Sequence, residues 1–210
     1  MIDFYTWTTP NGRKVSILLE ELGADYKAHA IDIGKGEQHA PAFLAISPNN
    51  KIPAIHDHDT GMAIMESAAI MIYLAEKYSK FLPGSGQERT DVLQWLMWQM
   101  GGLGPMLGQV HQFVHHNKGV SAYAEERFTK EAKRLYGVLD TQLRDNEFIA
   151  GDYSIADMAC WPWISRYEWQ EMDLSKYPHI QRWYKQLLAR EAVQKGYHVP
   201  KRMPAIPPGD

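Results

Sequence analysis

Cysteine is nearly missing from this sequence: Cys160 is the one thiol in 210 residues, so no disulfide can form within the chain. It lies in Ala159-Cys160-Trp161, inside an apolar helical pattern, where a free cysteine behaves as a small buried hydrophobe. Any sulfur chemistry must therefore draw its sulfur mostly from a ligand. Long apolar runs are missing too, and none approaches the roughly 20 residues of a membrane span. A formal charge of −3 gives no field that would gather nucleic acid or acidic lipid. Met1-Ile2-Asp3-Phe4 lacks the basic start and apolar core of a secretory signal, so a cytoplasmic location is expected. What remains, 45% hydrophobic and 22% charged residues, is an ordinary globular composition.

The stretch that organises the rest is Thr8-Thr9-Pro10-Asn11-Gly12-Arg13-Lys14. Before it, Ile2 to Trp7 alternates as a half-buried strand, and after it Val15, Ile17, Leu18, Leu19 and Leu22 fall at helical spacing. Thr9 is placed to cap that helix, with Pro10 at its first position. Such a turn presents unpaired amides and the positive end of the helix dipole, and a thiolate is a suitable tenant.

Tyr26 to Ile33 reads as a second strand, closed by Gly34-Lys35-Gly36. Strand, helix and strand within this length make a right-handed βαβ unit with parallel strands. At most a short helix is expected between Glu37 and Ile46, and Ser47-Pro48-Asn49-Asn50 is turn chemistry. Lys51 to Asp57 and Met62 to Met65 form a hairpin, with Pro53 marking a strand start or a cis turn. Ser67 is a candidate cap for an apolar helix running to Tyr78.

This α/β mixed-sheet domain is expected to fill residues 1–80, with residues 81–87 as linker and 88–210 as an all-helical domain. In the second domain Pro105 predicts a kink in the long helix from Val92 towards His115. Ala122 to Leu143 predicts another long helix, and Ser154 with Asp157 predicts a capping box. Ile180 to Leu188 is read as the last helix, and Pro200 to Asp210 as an extended arm. His111, His115 and His116 invite a metal reading, but no Cys, Asp or Glu nearby completes a ligand set, so no metal is expected. Tyr5, Trp7 and Arg13 are read as structural, and the tryptophans mostly as core and interface.

Taken together, Thr9-Pro10-Asn11-Gly12, Gly36-x-Gln38, Asn50-Lys51-Ile52-Pro53-Ala54, Glu66-Ser67, Gln94-Trp95-Leu96-x-Trp98-Gln99 and Ser154-Ile155-Ala156-Asp157 resemble the cytosolic glutathione transferases, and specifically their nu class. That resemblance implies a thioredoxin-like first domain, a helical-bundle second domain, a homodimer and glutathione-dependent disulfide reduction. By the same resemblance Thr9 and Asn11 would be the catalytic residues, donating to the glutathione sulfur. Ile52 beside cis-Pro53 would pair with the cysteinyl backbone, and Glu66 and Ser67 would hold the γ-glutamyl end. Gln38 and Lys51 would hold the glycyl end, and Arg127 would reach the site of a partner subunit. The usual Tyr, Ser or Cys beside the sulfur is not evident. Conjugation of hydrophobic electrophiles is the rival activity, and a non-catalytic glutathione-binding or regulatory protein is the second.

Overall fold

A computed structural model describes residues 1–210. The chain divides into two compact units, Met1–Gly84 with Arg190–Ile206, and Ser85–Ala189 with Pro207–Asp210.

The first unit is built on a four-stranded sheet of order β2-β1-β3-β4. Its strands are β1 (Ile2–Thr6), β2 (Tyr26–Ala30), β3 (Ala54–Asp57) and β4 (Met62–Met65). β1 runs parallel to β2 and antiparallel to β3, which pairs antiparallel with β4. This is the expected thioredoxin-like βαβ-ββα sheet. Alternation along β1 sends Ile2, Phe4 and Thr6 into the core, each without solvent exposure. The helices of this part are α1 (Pro10–Leu22), α2 (Pro41–Leu44) and α3 (Ser67–Tyr78). β2 ends at Ala30, three residues earlier than expected. Asp32 takes over there: its carboxylate accepts from the Gly34 amide, and its own amide donates to Glu37, which turns the chain away from the sheet.

The second unit is helical, with α4 (Gly86–Trp98), α5 (Gly104–Val110), α6 (Ala122–Arg144), α7 (Ile155–Ile164) and α8 (Pro178–Leu188). Helix α4 starts inside the expected linker. Between α4 and α5 the backbone forms a π turn over Gln99–Leu103, and a second follows α5 over His111–His116. The first is how the helix accommodates Pro105, whose ring has no N–H and crowds the carbonyl of Gly101. The capping box of Ser154 and Asp157 is present. Asp157 also accepts from the Ile149 amide and the Trp183 indole, so one buried carboxylate ties three segments together. Cys160 is fully buried.

The C-terminal part holds one more helix than expected. A ninth helix, α9 (Glu191–Tyr197), follows α8, and residues 190–206 cluster with the sheet unit, so the segment after 88 is not all one helical domain. α9 packs on α1. Ser16 Oγ donates to the Gly196 carbonyl at 2.7 Å, and the fully buried Arg13 donates to the Tyr197 carbonyl with its guanidinium 3.5 Å above the Tyr197 ring. Arg13 is structural, as read. The tail from Pro200 forms no helix or strand, and its end is tied down. The Tyr184 hydroxyl donates to the Pro207 carbonyl and Gln181 donates to the Gly209 carbonyl, both within the helical unit.

Candidate functional site

Strand register alone gathers the candidate residues. Tyr5 pairs with Ala54, Ala54 with Met65, and Thr6 with Ala30. The residues that follow β1, follow β2, precede β3 and follow β4 must therefore emerge at one end of the sheet. Those residues include Thr9 and Asn11, Gln38, Lys51-Ile52-Pro53, and Glu66-Ser67. Helices α1 and α3 both begin at this end, so two helix N-termini with their positive dipole ends converge there. Of the sequence-predicted residues, only Arg127 lies in the other unit. It is exposed on α6 and donates to the Tyr123 hydroxyl at 3.4 Å. With Tyr123, Phe128 and Arg134 it lines a groove of about 670 Å³.

Thr9 caps α1 from an extended backbone, and its Oγ1 accepts from the Gly12 amide at 3.2 Å. That bond uses an oxygen lone pair and leaves the hydroxyl proton available to a further acceptor. Pro10 stands at the first helical turn and Asn11 beside it. Gly12 is required by space: a Cβ there would lie 2.4 Å from both Thr6 Oγ1 and the Trp7 carbonyl, so the first turn of α1 is pressed against the end of β1.

The Ile52–Pro53 peptide is cis. Ahead of it, Ser47 Oγ donates to the Lys51 carbonyl at 2.8 Å, and Asn50 takes a positive φ of 50°. These fix the turn that delivers Pro53, itself buried, to the start of β3. Lys51 is exposed at the rim.

Glu66 precedes α3 with a φ of 72°, a left-handed region that costs a residue with a Cβ on the order of 1 kcal/mol or more. The helix starts at Ser67, one residue earlier than a Ser67 cap implies. Ser67 is 3% exposed, and Lys14 Nζ donates to its hydroxyl at 3.4 Å. Lys14 is itself buried on α1, so it brings a positive charge to the start of α3. Sequence reading passed over Lys14, although it falls on the row of Leu18 and Leu22, where a lysine among core positions is unusual.

Gln38 lies in the short 3₁₀ turn Glu37–His39, after Gly36 at φ 79°. Its Oε1 is buried and accepts no hydrogen bond within the chain. A buried acceptor without a donor is costly unless something else supplies one. The arrangement offers donors and positive potential at three places, one unsatisfied acceptor, and no thiol.

The histidines first considered for metal are otherwise engaged. His111 stacks on Trp163 and lies 3.0 Å from the Gln170 side-chain amide, and burial, then Arg166, His116 and His115, push its pKa down to about 3. His115 stacks on Trp169.

Residues 8–77 match the model of the glutathione S-transferase N-terminal domain, and residues 105–191 that of the C-terminal domain. The disulfide-bond oxidoreductase YfcG of Escherichia coli is 49% identical over 199 residues, covering 92% of this chain and 93% of that protein. A glutathione transferase family member from Pseudomonas fluorescens, solved with two glutathiones bound, superposes with a TM-score of 0.89 at 43% identity, covering 95% and 93% of the two chains. A glutathione transferase from Pseudomonas putida, with one glutathione disulfide per subunit, gives 0.90 at 42% identity, covering 95% and 91%.

Proposed function

Because this chain belongs to the glutathione S-transferase family, we propose that it is a glutathione-dependent disulfide-bond reductase that uses the thiols of bound glutathione in place of a protein cysteine. The observation that carries the reading is the start of α1, the positive end of a helix dipole capped by Thr9, in a chain whose single cysteine is fully buried in the other unit. The names of the relatives above support it.

In this reading Thr9 Oγ1 and the Asn11 amide donate to the glutathione sulfur. Ile52, whose backbone groups engage no other backbone, pairs with the cysteinyl part as an added strand. Glu66 takes the γ-glutamyl ammonium, while Ser67, the α3 start and Lys14 take its carboxylate. Lys51 pairs with the glycyl carboxylate, and Gln38 Oε1 accepts from the glycyl amide. Arg127 acts from a twofold-related copy in a homodimer.

A free thiol near pKa 8.5 is a few per cent ionised at neutral pH, and lowering it by two units takes about 2.7 kcal/mol of preference for the thiolate. Two hydrogen bonds to a charged sulfur and a helix N-terminus are of that size together. The thiolate attacks one sulfur of the substrate disulfide, forming a glutathione mixed disulfide and releasing a substrate thiolate that takes up a proton. The thiolate of a second glutathione then attacks the mixed disulfide, yielding oxidised glutathione and the second reduced thiol.

The test is reduction of bis(2-hydroxyethyl) disulfide with glutathione, run beside conjugation of 1-chloro-2,4-dinitrobenzene. Reduction is expected to exceed conjugation, and Thr9→Ala with Asn11→Ala is expected to lower its rate about 10²-fold. An unchanged rate in the double variant refutes the site assignment. Faster conjugation favours the rival transferase, and glutathione binding with neither activity favours a binding protein.

A further inference from the structure

The opposite end of the same sheet gathers a different chemistry. His56 and His58 are two residues apart at the end of β3 and so project to one face, and Asp3 stands directly across from His56 on β1. That face is the one turned away from the Ile2, Phe4 and Ile55 core. We propose that Asp3, His56 and His58 form a binding site for one divalent late first-row transition-metal ion of the zinc class.

The donor atoms of the three side chains, one from each, all lie within 4.8 Å of one another. His58 Nε2 is already 2.8 Å from Asp3 Oδ2, and the two imidazole rings meet edge to face at 4.6 Å. Zinc–ligand bonds of about 2.0–2.1 Å place tetrahedral donors roughly 3.4 Å apart. The gap closes by turning His58, whose side chain is 44% exposed.

A fourth residue fixes the carboxylate. His29 Nε2 lies 2.7 Å from the other oxygen, Oδ1, and the His29 ring stacks on Tyr5 at 4.8 Å. Asp3 is thereby oriented with Oδ2 towards the two other imidazoles, the arrangement by which outer partners orient metal ligands. Two imidazoles and one carboxylate suit zinc, nickel or copper rather than calcium or magnesium, which take all-oxygen sets. Three protein ligands leave a fourth position for water. The site lies at the Ile2–Asp57 end of the sheet, away from the Thr6–Ala54 end where the glutathione residues gather.

Untagged full-length protein, stripped with a chelator and dialysed, is titrated with Zn²⁺ by calorimetry and with Co²⁺ by visible absorption. One ion per chain is expected, with d–d bands of a four- or five-coordinate nitrogen–oxygen site. His58→Ala and Asp3→Asn should each weaken binding at least about tenfold, and His29→Ala about tenfold as a positioning change. His115→Ala with His116→Ala should leave it unaltered. His58 is exposed, so its replacement is expected to keep the melting temperature of the metal-free protein. The proposal is overturned by no saturable binding up to millimolar Zn²⁺. It is equally overturned by binding that His58→Ala and Asp3→Asn leave intact.

Discussion

Under the proposed function, Gln38 carries a conflict between folding and ligand binding in a single side chain. Its Oε1 is buried without a donor, an arrangement that costs roughly 1–3 kcal/mol when nothing fills it. Replacing it with Met removes the acceptor while keeping the shape. The expected outcome is a chain at least as stable as the parent, by thermal melting, with a glutathione KM raised several-fold. A lower melting temperature with unchanged KM would make Gln38 a structural residue instead. Thr9 shows the same economy of groups: one lone pair caps α1, and its proton remains for the glutathione sulfur of the proposed site. Thr9 was legible in the sequence because capping is a local rule acting over three residues. Lys14 was not, since its meaning depends on Ser67, 53 residues away.

At the scale of elements, the hairpin and α3 are joined through Asp57, the last residue of β3. Burial raises its carboxyl, but the Lys77 ammonium, the Tyr73 hydroxyl and the Asp59 amide outweigh that and hold it at about 2, against 3.8 for a free carboxyl. A folded-state pKa below the unfolded one means stability that is fully present above about 3.8 and is lost as pH falls through about 2. The shift corresponds to about 2 kcal/mol. Denaturant midpoints measured from pH 5 to pH 2 should therefore fall more steeply in the parent than in Asp57→Asn, which should be weaker near neutrality. Parallel curves would show that Asp57 is not the titrating link. The hairpin, α1 and α3 were all readable, because period, turn residues and caps agree along each segment. The π turns were not: Pro105 announced a disturbance, but whether a helix bends or shifts its hydrogen bonds is settled by what packs around it.

For the molecule as a whole, the missed feature is that the chain returns. Residues 190–206 complete the sheet unit, so neither compact unit is continuous in sequence. Nothing local announces this, because α9 is seven residues long, too short to be stable alone, and Gly196 argues against a helix. Its reason is tertiary: Val193 and Tyr197 bury completely or nearly so, and Gly196 lies so close to α1 that a Cβ would stand 2.7 Å from the backbone N and Cα of Ile17. Backbone cannot step aside as a side chain can, so Gly196→Ala must lift α9 from α1. It would also weaken the bonds by which Ser16 and the buried Arg13 are satisfied. A loss of about 1–3 kcal/mol is expected, seen as a lower melting temperature and faster amide exchange along α1. Because Thr9 caps α1, glutathione affinity at the proposed site should fall with it, although residue 196 belongs to no part of that site. If Gly196→Ala leaves both melting and α1 exchange unchanged, α9 is an appendage rather than a wall of the unit that holds the site.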